Sequence, residues 1–599
     1  MDKIVIFQIG PVQEFISEAR KTADFWAGSR ILSTLMEEAI NKAKDKGIEV
    51  IYPYINEGKN SQNQSDSPNI PNRFVGLVKD GKSDGSDAFN VMNEIEETVK
   101  NRLQKFAQKT LKILLNNSSS DFNFFVNQVL KSFDIYWIVY PMKSEEFSKE
   151  YKNAEFLFNS RKSVRDFEQW EGEEGFKCSI CGKRIPVVDD KERVKSLKGI
   201  NEYWDRLRNS QQLKYVFKDG ERLCAVCAMK RLYPQIPEVN EGFSSFPSTA
   251  SIAVAPFLEK CVEKGVKFES LLKELDGLKE DFTQPGTVVP KLEKNGNLNF
   301  RIKNRDGSIF YEEQYKDAEN GSNVINLLRS LSKEVEKKPS KYYAVIQIDG
   351  DSIGKHLRGK DLQELKDFSK SIFDFSYDVR KSVEEMFDVK VGYLGGDEGV
   401  IFSPLYQLFE VIRHIREEFK KKVNDVTLSF GIAISHWSDP FQSAIIASRE
   451  ALKEAKNQDN KNSAGFVIIK RSGDIVKTVI DFNKYNEAEL FKQINTLLGD
   501  YNSGLISPKW WNELFLEKEA FNELLIREGE RYVDRDLLKA ETKRLFYRRS
   551  EKLSAEEKDK IFEQFLVELI DKLPDSWDAD PIEKFLGLLE LIEFVSNER

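Results

Sequence analysis

The segment from Gly395 to Glu398 is the part of this 599-residue sequence with the clearest chemical meaning. Apolar residues precede and follow this Gly-Gly-Asp-Glu segment, which predicts two β-strands joined by a tight turn. The turn places the carboxylates of Asp397 and Glu398 at the tip of a hairpin. Converging carboxylates bind divalent cations, and a pair of cations can assist phosphoryl transfer. The alternative is a hairpin closed by ordinary turn residues, among which Gly and Asp are common.

A third carboxylate, that of Asp349, follows an apolar strand predicted over residues 342–348. We expect Asp349 to meet Asp397 and Glu398 where the two strand ends lie side by side. The strand then continues into a glycine-bearing turn and a helix, and backbone amides in such a turn can bind phosphate oxygens. The residues of this turn are Gly350, Asp351, Ser352, Ile353 and Gly354.

The surrounding pattern predicts a domain that positions these acids. Apolar periodicity and turn residues give strands at 342–348, 391–395, 399–403, 426–434 and 465–471, and helices at 361–388, 405–423 and 440–456. The first six elements have the βαββαβ order of the ferredoxin-like palm shared by polymerases and nucleotide cyclases. This context favours catalysis over a plain turn.

Four cysteines form a second chemical pattern. Cys178 and Cys181 form one CxxC pair, and after 42 intervening residues Cys224 and Cys227 form another. Two such pairs predict a closed tetrahedral zinc site of the structural kind. The alternatives are two disulfides or a redox-active cysteine pair. A reducing compartment disfavours disulfides, and a redox-active site needs one CxxC motif, whereas this sequence has two. The remaining Cys261 is predicted to be a small buried apolar residue.

Length and composition indicate a globular protein of about three to five domains. Charged residues make up 32% and hydrophobic residues 40% of the chain, and the net charge of −8 excludes an overall basic field for nucleic acid. We find no segment of the ~20 apolar residues that a membrane span requires. The apolar run at 4–9 is short and broken by Gly10-Pro11, so we interpret it as a strand rather than a signal peptide. Few cysteines indicate the cytoplasm.

The chain divides into four predicted domains, at 1–155, 156–335, 336–480 and 481–599. The first looks α+β, with one long helix from Pro11 to about Lys44 and loops at 57–70 and 79–88, and it lacks paired acids at its strand ends. The second is mostly helical around the cysteines, and the third is the palm. The last is helical, with helices predicted at 485–498, 509–527, 535–548, 555–573 and 581–597.

Several motifs in one order resemble the large subunit of type III CRISPR effector complexes, in the Cmr (type III-B) branch. This resemblance runs from residue 1 to about 473 and includes the CxxC pairs and the hairpin. It implies an α+β multidomain fold with two ferredoxin-like palm domains, the first degenerate and the second catalytic, plus a zinc-binding helical domain and a C-terminal helical domain. The further motifs are residues 9–16, 19–22, 26–29, 71–74, 161–167, 246–249, 348–351 and 468–473.

The resemblance also implies a function. When the guide RNA of the complex captures target RNA, this subunit would join ATP molecules into cyclic oligoadenylate, with other Cmr subunits as partners. Mg²⁺ or Mn²⁺ would be held by Asp349, Asp397 and Glu398. Lys456 and Lys461 are placed like phosphate-binding residues of related cyclases, although ordinary exposed lysines fit equally well. The nucleotide-binding candidates are the 350–354 turn, Gly395, Gly396, Ser429 as a weaker candidate for base contact, Lys456 and Lys461.

Two features depart from the family pattern. Glu398 stands where the family usually has Asp, and Glu still supplies a hard oxygen ligand. Relatives often begin with a nuclease domain built on a His-Asp pair, whereas His356, His414 and His436 are followed by Leu, Ile and Trp. We therefore predict no single-stranded DNA cleavage by this subunit.

Three other functions remain open at this stage. A diguanylate-type cyclase would share the hairpin but would depend on GTP. A related subunit could transfer AMP to another acceptor, such as S-adenosylmethionine, with the same site. A non-catalytic scaffold would tolerate neutralisation of Asp397 and Glu398.

Overall fold

The computed structural model describes residues 2–56, 69–79, 86–115, 122–164, 173–190, 195–236, 246–278, 285–517, 526–527, 530–531, 534–573 and 581–598. Most of the two predicted loops at 57–70 and 79–88, and residues 165–167 of one family-like motif, lie outside these ranges. The described chain mixes helices with two large sheets, which confirms the predicted multidomain α+β class.

The N-terminal domain is a βαββαβ unit around a four-stranded antiparallel sheet of order β2-β3-β1-β4. This is the strand order of a ferredoxin-like palm. The strands are β1 (Lys3–Gly10), β2 (Glu49–Tyr52), β3 (Arg73–Val78) and β4 (Asp134–Pro141). The helices are α1 (Val12–Ser17), α2 (Thr22–Asp45), α3 (Ser86–Leu115) and α4 (Phe122–Leu130).

The single helix predicted from Pro11 to about Lys44 is wrong, because α1 and α2 are separate helices. The chain turns between them, where the carboxylate of Asp24 accepts hydrogen bonds from the backbone amides of Arg20 and Lys21. This side-chain cap starts α2 and gives α1 its own direction.

The central region is mostly helical, as predicted. Its helices are α5 (Phe147–Ser163), α6 (Leu197–Asn209), α7 (Ala225–Leu232), α8 (Thr249–Glu263), α9 (Glu269–Asp276), α10 (Pro290–Lys294), α11 (Phe300–Lys303) and α12 (Gly321–Glu334). Short 3₁₀ turns at Tyr233–Gln235, Gly307–Phe310 and Glu312–Tyr315 connect them. The predicted boundary at residue 155 falls inside α5. The apolar side chains of this region share one core with the N-terminal domain.

The third region is a palm with a six-stranded sheet of order β10-β9-β8-β5-β7-β6, in which β8 and β9 are parallel. Its strands are β5 (Tyr342–Gly350), β6 (Lys390–Gly395), β7 (Glu398–Pro404), β8 (Leu428–His436), β9 (Ser463–Ile469) and β10 (Ile475–Asp481). Its helices are α13 (Ile353–Leu357), α14 (Leu362–Met386), α15 (Leu408–Lys422) and α16 (Phe441–Lys456), with a 3₁₀ turn at Leu405–Gln407. The predicted elements are all present. Strand β10 was not predicted.

The C-terminal region packs helices against the palm, and Thr478 of β10 donates a hydrogen bond to the Lys584 carbonyl at 2.8 Å. The helices are α17 (Glu487–Asn502), α18 (Lys509–Leu516), α19 (Arg535–Arg549), α20 (Ala555–Ile561), α21 (Val567–Asp571) and α22 (Pro581–Ser596), with a 3₁₀ turn at Phe482–Lys484 and a π-helical turn at Phe562–Leu566. Of the helix predicted over 509–527, residues 518–525 lie outside the described residues. Its last two residues are not helical, since Ile526–Arg527 (β11) pairs with Glu530–Arg531 (β12). Within the described residues, no helix has the length and apolarity to cross a membrane.

The two palms meet at Asn69, a buried residue of the N-terminal domain. Its backbone amide donates to the Leu394 carbonyl at 2.9 Å, and its side-chain oxygen accepts from the Leu394 amide at 3.3 Å. Its side-chain nitrogen donates to the Ser33 hydroxyl at 3.0 Å. A Cβ on Gly395 would lie only 2.5 Å from the Asn69 carbonyl oxygen, so glycine at this position allows the two domains to approach.

Candidate functional site

The three predicted acids lie at neighbouring strand ends. Asp349, near the end of β5, is the register partner of Glu398, the first residue of β7. Asp397 directly precedes Glu398 in the hairpin turn, where Gly396 has a φ of +69° that favours glycine. The backbone amide of Gly350 donates to the Asp397 carbonyl at 3.2 Å and fastens the turn to β5. The structure therefore brings the three carboxylate-bearing residues to one edge of the sheet.

A lysine lies among these acids. The Nζ of Lys456, the last residue of α16, is 2.8 Å from Asp349 Oδ1 and donates to the Gly350 carbonyl at 3.0 Å. Within the part of the chain that the structure describes, the cysteines form the only group of three or more metal-binding side chains with all ligand atoms within 4.8 Å of one another. The three carboxylates are therefore less tightly gathered, and Lys456 neutralises part of their charge.

The environment makes these carboxyl groups hard to ionise. Burial, followed by the charge of Asp349, raises the pKa of Asp397 to about 6. Burial and the charges of Asp397 and Asp349 raise the pKa of Glu398 to about 7. Burial also raises the pKa of Asp349, although Lys456 opposes the shift. A cluster of half-buried acids with raised pKa values is typical of a functional site, such as one that binds cations.

Asp351 and Ser429 lie beneath this edge of the sheet. The Asp351 carboxylate accepts hydrogen bonds from the Thr427 hydroxyl at 2.7 Å, the Ser429 hydroxyl at 2.8 and 2.9 Å, and the Asn462 backbone amide at 3.0 Å. Ser429 is fully buried. In this structure the Ser429 hydroxyl therefore supports Asp351, and its contact with a base stays a prediction.

The turn after β5 is shaped for a close approach to the hairpin. Ser352 adopts a left-handed backbone conformation with a φ of 60°, and its hydroxyl accepts a hydrogen bond from Lys461 Nζ at 3.1 Å. Ile353 and Gly354, the first residues of α13, line a cavity that also reaches Asp397. Lys461 is therefore tied to the turn that was predicted to bind phosphate.

A cavity of about 370 Å³ lies between the N-terminal domain and the palm. Gly395, Asp397 and Glu398 line one side of it, so the acidic tip of the hairpin opens into this space. The opposite wall comes from the N-terminal domain and α5 and mixes apolar with polar side chains. The polar ones include Ser29, Ser33, Asn69, Asn72, Arg73, Glu155 and Asn159. The arrangement suits a polar ligand bound between the two domains.

Sequence reasoning missed three residues that surround Glu398. Gln13 Nε2 lies 3.4 Å from Glu398 Oε2 and 3.4 Å from the Tyr393 hydroxyl. Arg449 donates to both the backbone and the side-chain oxygen of Gln13. Gln13 belongs to the N-terminal domain and Arg449 to α16, so no local periodicity signals their meeting. Only the position of Gln13 inside a family-like motif could have pointed to it.

The four predicted cysteines converge. All four Sγ atoms lie within 4.8 Å of one another, and those of Cys181 and Cys224 are 3.7 Å apart. A tetrahedral zinc ion with Zn–S bonds of about 2.3 Å separates its sulfurs by about 3.8 Å, so the geometry fits zinc. The backbone amide of Ile180 donates to Cys178 Sγ at 3.5 Å, as expected in a knuckle turn. Cys261 is buried away from the cluster, and burial raises its pKa to about 12.

The fold and the site define a protein with two palm domains, and within the described residues the second of them carries the clustered acids at its strand ends. Known families match both parts of this chain. The family described as "Cas10/Cmr2, second palm domain" matches residues 342–465, and "CRISPR-associated protein Cmr2, N-terminal" matches residues 4–108. The chain is also 24% identical to the CRISPR system Cmr subunit Cmr2 of Pyrococcus furiosus, over 98% of this chain and 74% of that protein.

Solved structures show the same architecture. The apo state of a type III-B Cmr-beta complex contains a chain that superposes with a TM-score of 0.70 at 16% identity, over 99% of this chain and 82% of that one. A Cmr-beta structure bound to cognate target RNA gives a TM-score of 0.69 at 16% identity, over 99% and 83%. Residues 4–108 and 342–465 are therefore similar in sequence to Cas10/Cmr2 proteins, and the fold is that of the Cmr-beta chains.

Proposed function

We propose that this chain is the nucleotidyltransferase subunit of a type III-B (Cmr) CRISPR effector complex and that it converts ATP into cyclic oligoadenylate when the complex binds target RNA. The observation that carries the proposal is the pairing of Asp349 with Glu398, beside Asp397, at the mouth of a cavity between two palms. A cavity of about 370 Å³ has the volume of a nucleotide-sized ligand site.

Two divalent ions, Mg²⁺ or Mn²⁺, would be held by Asp349, Asp397 and Glu398. Carboxylate oxygens are the ligands these hard cations prefer, so the donor set fits. When bound, such ions offset the charge of a triphosphate and acidify an attacking 3′-hydroxyl. The zinc candidates are Cys178, Cys181, Cys224 and Cys227, and a four-thiolate site leaves no open position for catalysis.

The chain's own residues place the nucleotide. Lys456 neutralises Asp349 and has the reach to pair with a phosphate instead, since its Nζ already sits at the carboxylate edge. The turn from Gly350 to Gly354 offers backbone amides, and Lys461 lies against it. The hairpin glycines allow close packing beside Asp397, since a Cβ on Gly395 would lie 2.5 Å from the Asn69 carbonyl oxygen and one on Gly396 would lie 3.3 Å from Pro71.

Similarity to Cas10/Cmr2 proteins supports the proposed partners, which are other Cmr subunits and the guide and target RNA held by the assembled complex. The net charge of −8 agrees with RNA being bound largely through those other subunits. The paucity of cysteines supports a cytoplasmic location. None of the three histidines in residues 1–599 is followed by Asp, so we propose that this chain has no nuclease site built on a His-Asp pair.

The test is mass spectrometry of products from the assembled complex, target RNA, Mg²⁺ or Mn²⁺, and ATP, with and without S-adenosylmethionine. In the Asp397→Asn/Glu398→Gln variant, product formation should fall by about 100-fold or more. Removal of a residue that only hydrogen-bonds to a metal ligand already lowers activity by about 10–100-fold, and here the ligands themselves are changed. Glu385→Gln, a neutralised exposed acid of the same domain, should leave product formation unchanged.

The identity of the product distinguishes the remaining functions. A ring of AMP units that depends on target RNA supports the proposal. An AMP adduct of S-adenosylmethionine keeps the site and changes the acceptor, and products from GTP alone indicate a diguanylate-type cyclase. Product formation that is equal in the wild type and the Asp397→Asn/Glu398→Gln variant, or absent from both, leaves a scaffold.

A further inference from the structure

Helix α1 lies between the acidic hairpin and the cysteine cluster and contacts both. At its start, the Gln13 side chain reaches Glu398 and Tyr393 of the palm. At its end, Glu18 reaches basic residues that follow Cys181. The helix has only six residues, so it makes too few internal hydrogen bonds to be stable alone and depends on these contacts.

The orientation of the Gln13 amide is fixed by chemistry. Arg449 Nη2 donates to the Gln13 backbone oxygen at 2.7 Å and to its side-chain Oε1 at 2.8 Å. A guanidinium has donors only, so it selects the amide oxygen and turns the amide NH₂ towards Glu398. Glu398, when ionised, has acceptors only. The contact therefore orients the one carboxylate of the site that departs from the usual family residue.

The other end of α1 is bound to the knuckle turn of the first cysteine pair. Lys183 pairs with Glu14 and lies 2.7 Å from Glu18 Oε1. Arg184 Nη1 lies 3.7 Å from Glu18 Oε2, and the Arg184 carbonyl accepts a hydrogen bond from the Cys178 amide at 2.8 Å. The conformation of the turn that carries Cys178 and Cys181 therefore sets the positions of Lys183 and Arg184.

The second cysteine pair holds α1 through a buried lysine. Lys230 follows Cys227 on α7 and is only 1% exposed. Its Nζ donates to the Phe15 carbonyl at 2.7 Å and also to the Glu18 carbonyl, and it lies 4.8 Å from the centre of the Phe15 ring. These carbonyls belong to the C-terminal half of α1 and its cap, where a cation is favourable.

We propose that Gln13 is a positioning residue for Glu398 and that the cysteine cluster fixes Gln13 through helix α1. This inference rests on the proposed function, because it assigns Gln13 to the same site. The basic residues beside the cysteines hold the helix at one end, and Arg449 holds the amide at the other. A metal-organised knuckle thus sets the placement of a side chain that donates to the acidic hairpin.

The first experiment measures ATP turnover by the assembled complex with target RNA. Gln13→Ala should lower kcat by about three- to tenfold, the effect of one hydrogen bond of ordinary strength, since the contact is long at 3.4 Å, with little change in KM for ATP. Lys183→Ala should act in the same direction, and Lys183→Arg should restore the rate. Lys198→Ala, on the exposed face of α6, is the matched control and should leave kcat unchanged.

The double variant gives the decisive comparison. If Lys183 acts through Gln13, then Gln13→Ala/Lys183→Ala is no slower than Gln13→Ala alone. If the loss of kcat in the double variant equals the product of the two single losses, then Lys183 acts independently of Gln13, and that result would overturn the proposed coupling. The zinc content of each purified variant is measured in parallel, so that loss of the metal is not mistaken for loss of the lysine.

A second readout does not depend on turnover. Mn²⁺ is titrated into the full-length chain and free Mn²⁺ is followed by electron paramagnetic resonance. Gln13→Ala and Lys183→Ala should each weaken binding by about threefold, with no further loss in the double variant, and Asp397→Asn/Glu398→Gln should abolish it. Unchanged Mn²⁺ affinity in Gln13→Ala refutes the inference. If the complex forms no nucleotide product, the proposed function fails and this titration still decides the role of Gln13.

Discussion

Asp349 and Glu398 are register partners on the antiparallel strands β5 and β7, so their side chains emerge on the same side of the sheet. Two acids in this relationship repel each other, and burial increases the cost of ionising them. The fold tolerates the pair because Lys456 lies 2.8 Å from Asp349 Oδ1 and Gln13 lies 3.4 Å from Glu398 Oε2. The site is therefore destabilising for the metal-free protein, as expected where binding matters more than stability.

The first prediction concerns the pH dependence of metal binding. Protons compete with Mn²⁺ for Asp397 and Glu398, whose pKa values are raised to about 6 and about 7. Mn²⁺ affinity should therefore rise between about pH 6 and pH 8 and flatten above it. Calorimetric titrations at several pH values measure this change. A flat profile across that range would show that other groups bind the metal.

The second prediction concerns stability. A carboxyl group whose pKa is higher in the folded state contributes stability at low pH and loses it as the pH rises through that pKa. The metal-free Asp397→Asn/Glu398→Gln variant should therefore melt at a higher temperature than the wild type at pH 8 and at nearly the same temperature at pH 4. Differential scanning fluorimetry with a chelator present checks both values, and Glu385→Gln is the control. A variant that melts lower at pH 8 contradicts the prediction.

The third prediction concerns the side-chain length of Glu398, the last residue of the Gly-Gly-Asp-Glu segment. Glu398→Asp retains a hard oxygen ligand but moves it about 1.5 Å away from Gln13. We expect turnover within about tenfold of the wild type, and a smaller effect of Gln13→Ala in this background because the contact is already lost. Steady-state turnover of the four combinations tests both expectations. Complete loss of product in Glu398→Asp would mean that the longer side chain is indispensable.

The sequence predicted the palm well because its signals are local. The strands around the hairpin alternate with amphipathic helices, and each signal lies within one element. Strand β10 was missed because it is a partly exposed edge strand, so its apolar pattern is diluted by outward-facing residues such as Lys477. The helix predicted over 509–527 is wrong at Ile526 and Arg527, because these residues are compatible with a helix but pair with Glu530 and Arg531 in a short two-stranded sheet.

The site was predictable only in part, for a related reason. Asp349, Asp397 and Glu398 follow strands of one sheet, so topology alone indicates that they meet. The contact between Gln13 and Glu398 joins two domains, and the contact of Asn69 with Leu394 does so as well. Such contacts depend on how the domains pack against each other, and the apolar periodicity within each helix or strand carries no information about that packing. The burial of Ser429 beneath Asp351 has the same origin.

The fourth prediction concerns a buried ionic cluster in the N-terminal half. Arg231, with its side chain 4% exposed, pairs with Asp24 at 2.6 Å and with Glu221 at 2.7 Å. Burial alone would raise the pKa of both acids, but Arg231 outweighs it and holds each pKa below its usual value. Arg231→Met leaves two buried carboxylates uncompensated and should destabilise the fold by about 3–5 kcal/mol.

Denaturant titrations of Arg231→Met and the wild type check this value, with Arg206→Met, on a 59% exposed arginine, as the control. Lowered pKa values contribute stability above the unfolded pKa and lose it as the pH falls. In Arg231→Met, burial raises the pKa values of both carboxyl groups, so the variant gains stability as they take up protons on acidification. The difference between the variant and the wild type should therefore shrink steadily as the pH falls from neutral to below about pH 4. A difference that grows on acidification would contradict this sign.

The last prediction concerns the cysteine cluster. A four-thiolate zinc site supplies folding free energy, so removal of one ligand should release the metal and lower the melting temperature. Cys181→Ser removes a ligand of the cluster, whereas Cys261→Ala alters a buried cysteine outside it. We expect Cys181→Ser to lose zinc, measured by inductively coupled plasma mass spectrometry, and Cys261→Ala to retain it.

Helix α1 should then exchange its amide hydrogens faster in Cys181→Ser alone, since Lys183 and Lys230 no longer hold it. Full zinc content in Cys181→Ser would show that three thiolates suffice.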